Sequence, residues 1–260
     1  MISDKIREIY DSKSILRSLV SKSLFGHYRN SILGFGWHFV LPLILMTVYY
    51  IVFTEIRASP MQDFWAFIAC GIFPFNFMMT NLTGGASAIV SNAGIIKKMY
   101  FPREIIVLAN VISSFIVMII GYGLILTLMA IFGITLNPIV LLLLPIYFML
   151  MAIFVIGYTL LFSSLTVYIR DIQFFLSSIS TIFFFLTPMY FSSTDISGMM
   201  GNIIWVNPFT YFIEAFHKIV YYGTIPEIDL LAMCIILSMT SLTIGIVVFH
   251  KLKRGFAERL

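Results

Sequence analysis

The sequence predicts an all-α integral membrane protein that forms a single transmembrane domain over residues 1–260. Three observations predict this class. The 260-residue chain is 60% hydrophobic and 11% charged, with a mean hydropathy of +1.00. No Asp, Glu, Lys or Arg lies between Glu104 and Arg170, a stretch that accommodates two membrane crossings of about 20 residues each. The basic residues form short islands between apolar runs, a pattern typical of membrane topology rather than of nucleic-acid binding.

Six apolar runs are long enough to be membrane-spanning helices. We expect them at 36–56, 63–83, 104–132, 138–168, 172–191 and 229–250. Residues 203–222 are apolar enough to suggest a seventh crossing. However, Asn207 and Pro208 interrupt this run, and Glu214, His217 and Lys218 are costly in the membrane centre. Short helices that lie in, or dip into, the outer leaflet are therefore expected between helices five and six.

The distribution of Lys and Arg predicts that both termini are cytoplasmic, because basic residues resist transfer across the membrane. The residues expected on the cytoplasmic side are Lys5, Arg7, Lys13, Arg17, Lys22, Arg29, Lys97, Lys98, Arg103, Arg170, Lys251, Lys253, Arg254 and Arg259. Only Arg57 and Lys218 are expected on the other side.

The N-terminal segment 13–33 has the pattern of an amphipathic helix. Leu16, Val20, Leu24 and Tyr28 recur every four residues and share one helix face, while basic and polar residues occupy the others. This pattern predicts a helix on the cytoplasmic surface whose cations lie near anionic head groups. A solvated linker is the alternative.

The sequence lacks the motifs of an enzyme or of an energy-coupled carrier. It contains no G-x-x-x-x-G-K-[ST], H-E-x-x-H or paired C-x-x-C motif, and Cys70 and Cys234 lie in apolar runs where buried small side chains are expected. The centres of the predicted spans are nearly free of charge, which disfavours a proton- or ion-coupled transporter. We therefore expect no catalytic residue, metal ligand or cofactor in this chain, and energy for any transport must be supplied from elsewhere.

Aromatic residues are abundant, at 16% of the chain. In the first predicted span they are Trp37, Tyr49, Tyr50 and Phe53. Aromatic faces can stack on sugar rings without fixing one pose, which suits a polymer that slides through a channel. Ordinary lipid contact and interfacial anchoring is the alternative.

The stretch SNAGIIKKMYFPREI (91–105) lies between the second and third predicted spans, on the basic side. Asn92 and Gly94 disfavour a continuous helix, and Ile95 and Ile96 offer an exposed apolar surface next to Lys97 and Lys98. Such a surface could dock another protein. A loop that only sets topology is the alternative.

Four stretches, in this order, resemble the permease subunit of type-2 ABC exporters of the polysaccharide class. They are YRNSILGFGWHFVLPLILMTVYYIVF (28–53), IVSNAGIIKKMYFPREI (89–105), VYIRDIQFFL (167–176) and NPFTYFIEAFHKIV (207–220). Members of this class export O-antigen, capsule or teichoic acid polymers. The resemblance implies a homodimer in the bacterial inner membrane, bound to two copies of a separate cytoplasmic ABC ATPase that holds the ATP and Mg²⁺. His217-Lys218 stands where relatives commonly carry Arg.

The resemblance also implies roles for particular segments. Residues 13–33 would be an interface helix, 84–99 a coupling helix that contacts the ATPase, and 195–222 outer gate helices. The residues expected to couple to the ATPase are Asn92, Ile95, Ile96, Lys97 and Lys98. Those expected at the outer gate are Trp205, Asn207, Pro208, Phe209 and Glu214.

The implied substrate is a lipid-linked polysaccharide such as O-antigen. Arg29, Arg103 and Arg170 are expected where the pyrophosphate of its lipid carrier meets the inner face, unless they act only as topology determinants. Three other functions stay open: a type-2 ABC exporter of lipid, drug or teichoic acid, an ion-coupled secondary transporter, and a membrane-embedded transferase.

Overall fold

The computed structural model describes residues 12–26, 31–56, 61–98, 101–193, 196 and 198–260, and within these residues it contains helices and no strands. The helices of the first half are α1 (Lys13–Gly26), α2 (Trp37–Ile56), α3 (Phe64–Thr83), α4 (Ala88–Ser91), α5 (Ala93–Ile96) and α6 (Glu104–Ile131). Those of the second half are α7 (Pro138–Leu141), α8 (Leu144–Tyr168), α9 (Ile172–Leu186), α10 (Met199–Val206), α11 (Pro208–Phe216), α12 (Ile228–Leu252) and α13 (Phe256–Arg259).

Within the described residues, five helical segments are long and apolar enough to cross a membrane. They contain α2, α3, α6, α8 and α12, close to five of the six predicted spans. The chain is therefore a multi-pass membrane protein.

The fifth predicted span differs from the expectation. Helix α9 ends at Leu186, not at residue 191, and its 15 residues cover about 22 Å of a hydrocarbon core about 30 Å thick. The physical reason is Pro188, which disfavours helical backbone in the residue before it. Thr187 accordingly has ψ 130, and a sixth full-length crossing stays a prediction.

One end of the helix bundle carries almost all the positive charge of the described chain. There, Tyr168 at the end of α8 donates to the carbonyl of Leu252 (2.8 Å), and Lys253 contacts Glu104 at the start of α6 (2.6 Å). With the exception of Lys218, the Lys and Arg residues of the described segments lie at this end, which we call the basic end. The positive-inside rule predicts that it faces the cytoplasm.

The opposite end of the bundle is formed by the other termini of the same helices. Trp65 at the start of α3 packs edge-on against Phe132 after α6, with ring centroids 5.5 Å apart. Asn137, just before α7, donates to the carbonyl of Gly223 at 3.3 Å. Helices α3, α8 and α12 therefore begin at the opposite end, and α6 begins at the basic end.

Helices α8 and α12 run in the same direction and pack at very short distance. A Cβ atom added to Gly245 would lie 2.1 Å from the carbonyl oxygen of Gly157, so only glycine fits at this crossing. Ser241 donates across the same interface to the carbonyl of Phe154 at 2.9 Å. Small residues allow the backbones to approach, which is how helices associate where the solvent is as apolar as their side chains.

Helix α1 lies alongside the first turns of α6. Leu16 and Leu19 pack in the cluster that contains Ile105, and Ser113 donates to Ser23 at 2.8 Å. The amphipathic helix expected at 13–33 begins at Lys13 and ends at Gly26. Residues 27–30 of that prediction, including Arg29, lie outside the described residues.

Candidate functional site

The connection between α3 and α6 at the basic end is built from short pieces. Residues 84–98, which we call the docking segment, contain a 3-10 turn (Gly85–Ser87) followed by α4 and α5. The two helices are separated at Asn92, which has φ −107 and donates its side-chain amide to the carbonyl of Ala88 (2.8 Å). The local hydrogen bond competes with helix continuation, so no single helix covers the described part of the expected 84–99 coupling helix.

Helices α1 and α13 share apolar clusters with the docking segment. On one side Ile89 packs in a cluster with Phe256 of α13, and on the other Ile95 packs against the cluster that includes Leu16 of α1. Ile96 borders both clusters. Ile95 and Ile96 are half-buried, partly against Ile105 and Ile106 at the start of α6, so the apolar surface expected there is only partly exposed and its docking role stays a prediction.

The exposed side of the docking segment is polar and basic. Ser91, Gly94, Lys97 and Lys98 are exposed. Lys22 of α1 reaches Asn92, with 3.4 Å between Nζ and Oδ1. A shallow recess of about 280 Å³ separates the two elements; its lining residues are Lys22, Ser91, Asn92, Gly94, Ile95 and Lys98. A partner with acidic side chains would complement this surface.

The start of α6 is tied to the C-terminal tail. Arg103 donates to the carbonyl of Lys253, and its guanidinium lies 5.6 Å from the centroid of the Phe256 ring. Arg170, by contrast, is exposed beyond the end of α8. The structure thus gives Arg103 partners within the chain, whereas the Arg170 side chain is exposed.

The docking segment is also connected to the interior of the bundle. Asn81 in α3 donates to Ser114 of α6 at 2.8 Å and accepts from Asn110 at 3.0 Å. At the end of α3, a Cβ on Gly85 would lie 2.7 Å from Thr159 of α8. Buried polar contacts of this kind fix the relative position of helices. A displacement of the docking segment would therefore reach α6 and α8.

The four aromatic residues of α2 do not form one continuous surface. Phe53 stacks on Tyr190 with centroids 4.6 Å apart, and Tyr49 lies 5.5 Å from the same ring. Tyr50 is exposed. Trp37 lies about 18 Å along the helix from Tyr49, near the basic end. The sequence could not show that Tyr190, beyond the end of α9, completes this aromatic cluster.

Helices α10 and α11 are short and meet at Asn207, and together we call them the hairpin, with Asn207 at its tip. The Asn207 side chain accepts from the backbone N–H of Phe209 at 3.0 Å and donates to Thr187 at 2.8 Å. Asn is a favoured N-cap residue and Pro208 occupies the first helical position, where its missing N–H has no cost. The break predicted at Asn207-Pro208 is confirmed.

Helix α11 lies inside the bundle rather than on its surface. Phe209 packs edge-on against Phe183 and Phe154, with centroids 4.8 Å and 5.8 Å apart. Phe154 is about 15 Å along α8 from the opposite end of the bundle. Further along, Phe216 packs 5.5 Å from Tyr122. The hairpin tip therefore lies deep in the protein, and α11 rises from it towards the opposite end.

Two ionisable residues of the hairpin are buried. Ser193 hydrogen-bonds Glu214, which is 6% exposed. His217 is fully buried and its Nε2 lies 3.1 Å from the carbonyl oxygen of Phe67. A carbonyl can only accept, so Nε2 carries the proton and Nδ1, which has no partner among the described residues, is bare. Sequence reasoning placed Glu214 at the gate but did not detect the contact of His217 with α3.

Where the hairpin meets the start of α12, Lys218 and Glu227 form an ion pair. The distance between Nζ and Oε1 is 2.7 Å, and the hydrogen bond from Lys218 lowers the pKa of Glu227. The side chain of Glu227 is 62% exposed, so the pair contributes little to stability. Trp205 belongs to the tip of the hairpin, two residues before Asn207. Its ring lies 5.1 Å from that of Tyr211.

The cysteines are structural. Cys70 and Cys234 are both buried, as predicted, and both are free thiols. In the part of the chain that the structure describes, no group of three or more His, Cys, Asp or Glu is arranged to hold a metal ion.

Comparison with known proteins gives one consistent result. The model of the family described as "ABC-2 type transporter" matches residues 15–221. The chain is 27% identical, over 263 residues and 98% of each chain, to the O-antigen export system permease protein RfbA of Myxococcus xanthus. It is also 27% identical, over 246 residues and 95% of each chain, to the O-antigen export system permease protein RfbA of Klebsiella pneumoniae. The chain belongs to the ABC-2 type transporter family.

Proposed function

We propose that this chain is the transmembrane subunit of an ABC transporter that exports a lipid-linked polysaccharide, such as O-antigen, across the bacterial inner membrane. The observation that carries the proposal is similarity to O-antigen export permeases over 98% of both chains. Because the similarity covers almost the full length, it includes the docking segment and the hairpin as well as the spans.

In this proposal a separate cytoplasmic ABC ATPase supplies the energy and this chain is not itself an enzyme. The ATPase would contact the exposed face of the docking segment, where Lys97 and Lys98 lie. Helices α1 and α13 share apolar clusters with the segment, so a push from the ATPase would also act on these two helices. The contacts of Asn81 and Gly85 would transmit this movement to α6 and α8.

Two copies of the chain and two ATPase subunits would form the transporter. Helix α2 leaves much of its apolar surface uncovered within one chain. Its exposed residues are Leu41, Ile44, Leu45, Val48, Tyr50, Ile51 and Val52. Membrane lipids and the second copy would share this surface. The aromatic cluster of Tyr49, Phe53 and Tyr190 would face the polysaccharide, and the hairpin around Asn207 would gate its exit.

At the inner face, the pyrophosphate of the lipid carrier would meet basic residues. Arg170 is exposed and can reach a ligand, and Lys97 and Lys98 are exposed at the same end. Arg103 is held by the tail, so it would contribute to the local positive potential rather than grip the ligand.

The test is affinity purification of the tagged chain in mild detergent, followed by reconstitution. We expect an ABC ATPase to co-purify in equal ratio, and the reconstituted complex to translocate lipid-linked polysaccharide only with ATP. Transport by the chain alone, driven by an ion gradient, would overturn the proposal. ATP-driven movement of phospholipid but not of polysaccharide would overturn the substrate assignment.

A further inference from the structure

A short π-helix follows α11 directly and covers His217–Tyr221. We call it the π segment. In it, the backbone N–H of Tyr222 donates to the carbonyl of His217 at 2.9 Å. π-Helices are rare and occur frequently at functional sites. This one lies at the end of α11 that is farther from the hairpin tip, so it connects the hairpin to the rest of the chain.

Two side chains of the π segment bind α3 and the residue before it. Nε2 of His217 donates to the carbonyl of Phe67 at 3.1 Å, and the two rings stack with centroids 3.8 Å apart. The hydroxyl of Tyr221 donates to the carbonyl of Gln62. A Cβ atom added to Gly71 would lie 3.6 Å from Nε2 of His217, so the imidazole lies close to the α3 backbone. Both hydrogen bonds and ring packing therefore attach the π segment to α3.

The burial of His217 has a cost. The side chain is 0% exposed, and its Nδ1 has no hydrogen-bond partner among the described residues. A buried acceptor without a partner is unfavourable. An apolar side chain of similar size would avoid this cost, but it could not donate to Phe67. The Nε2 donor is therefore the property that distinguishes histidine at this position.

The two ends of α11 are attached to different parts of the molecule. At the far end, the π segment is bound to α3, and Lys218 pairs with Glu227 at the start of α12. Both α3 and α12 are long spans. At the tip, Asn207 donates to Thr187, which lies after α9 and has extended backbone. A moving hairpin can break this tip contact while the π segment stays on α3.

We propose that His217 is a positioning residue for the exit gate. Its hydrogen bond to Phe67 would hold the far end of α11 on α3 while the tip around Asn207 moves, and would thereby favour return of the hairpin to the closed position. This inference rests on the proposed role of the hairpin as a gate, and it assigns the residue that sets the resting position. Loss of the Nε2 donor would shift the hairpin from closed towards open.

The test measures opening of the full chain in the absence of substrate. Proteoliposomes that contain the purified chain are loaded with carboxyfluorescein, and efflux of the dye is followed without ATP. His217→Leu should increase the efflux rate about fivefold, the factor that one net hydrogen bond contributes to an equilibrium. Hydrogen exchange in residues 208–222, measured by mass spectrometry, should rise in the same variant.

Two further substitutions isolate the Nε2 donor. His217→Gln places an amide N–H close to the position of Nε2, and its efflux should stay close to the wild-type rate. His217→Asn places its amide near the position of Nδ1 instead, and should leak like His217→Leu. Lys218→Gln is the matched control at the next position, because its ion pair with the exposed Glu227 contributes little, and it should behave like the wild type.

A second control separates the gate from general stability. Gly245→Ala disturbs the crossing of α8 and α12, so it should make the protein easier to unfold without increasing efflux. If His217→Leu does not fold, as judged by its size-exclusion profile, the Gln and Asn variants decide the outcome.

Four results would overturn the proposal. Efflux could be unchanged in His217→Leu, His217→Gln could leak as much as His217→Leu, or Gly245→Ala could leak equally. Faster exchange in the hairpin without faster efflux would show that His217 holds a hairpin that does not close the path. The assay contains neither ATP nor polysaccharide, so each of these results is distinguishable from a failure of ATP-driven polysaccharide export by the wild-type complex.

Discussion

At the residue scale, the closest contact in the bundle is between two glycines of α8 and α12. Gly157 and Gly245 let the two backbones meet, and the Ser241 hydrogen bond to Phe154 depends on the same proximity. No side chain larger than hydrogen fits without moving one helix. The close packing of the two helices at this crossing therefore requires glycine at both positions.

The first prediction concerns Gly245. Gly245→Ala should lower the free energy of unfolding by about 1–3 kcal/mol, because the new methyl group overpacks the crossing. Unfolding of the purified protein in detergent, followed by circular dichroism, measures the change. Gly123→Ala is the control, since nothing lies within 4 Å of an added Cβ there and alanine favours the helix. Equal stability of the two variants would contradict the assignment.

The second prediction concerns the hairpin tip. Asn207→Ala removes both the N-cap of α11 and the hydrogen bond to Thr187, and should cost about 1–2 kcal/mol. Asn207→Asp keeps the cap acceptor and should lose less. Because both contacts lie within the hairpin region, limited proteolysis between residues 187 and 210 should accelerate for the alanine variant. An unchanged cleavage rate would show that the cap does not hold the hairpin.

At the element scale, the docking segment is positioned by elements that are distant in sequence. Helices α1 and α13 share apolar clusters with it, and the Arg103 contact with Lys253 joins the start of α6 to the tail. Its two helices span four residues each, and isolated helices of this length are unstable. The conformation of the segment therefore depends on these contacts.

The third prediction tests this dependence. Phe256→Ala should weaken the cluster shared with the tail and increase amide hydrogen exchange in residues 88–98, because α4 and α5 then lose a packing surface. Exchange followed by mass spectrometry on the full-length protein measures the effect. Phe132→Ala is the matched control, because Phe132 is 70% exposed at the opposite end. Equal exchange in both variants would mean that the tail does not stabilise the segment.

At the scale of the whole molecule, the sequence predicted the features that depend on local pattern. Apolar run length predicted the five long helices, and Asn207-Pro208 predicted a break. The sequence did not predict contacts between residues that are far apart along the chain. The cluster that half-buries Ile95 and Ile96 also takes in Leu16 of α1, and Tyr190 stacks on Phe53, and in both cases the partners are far apart in sequence. Neither contact leaves a periodic signal, so neither could be predicted from one sequence.

The last prediction concerns the charge of the basic end. Lys97→Glu combined with Lys98→Glu should reverse the charge of the exposed docking face and reduce co-purification of an ABC ATPase by tenfold or more, because opposed charges across an interface are needed for fast and specific association. The double variant should also impair polysaccharide export, measured in cells.

Two controls make this result specific. Lys251→Glu combined with Arg254→Glu changes two exposed cations at the same end but outside the docking segment, and should co-purify the ATPase like the wild type. Cysteine accessibility from either side of the membrane checks that the topology is unchanged, since the positive-inside rule also depends on these residues. Normal export by the Lys97 and Lys98 variant, with normal insertion, would show that both lysines act only in topology.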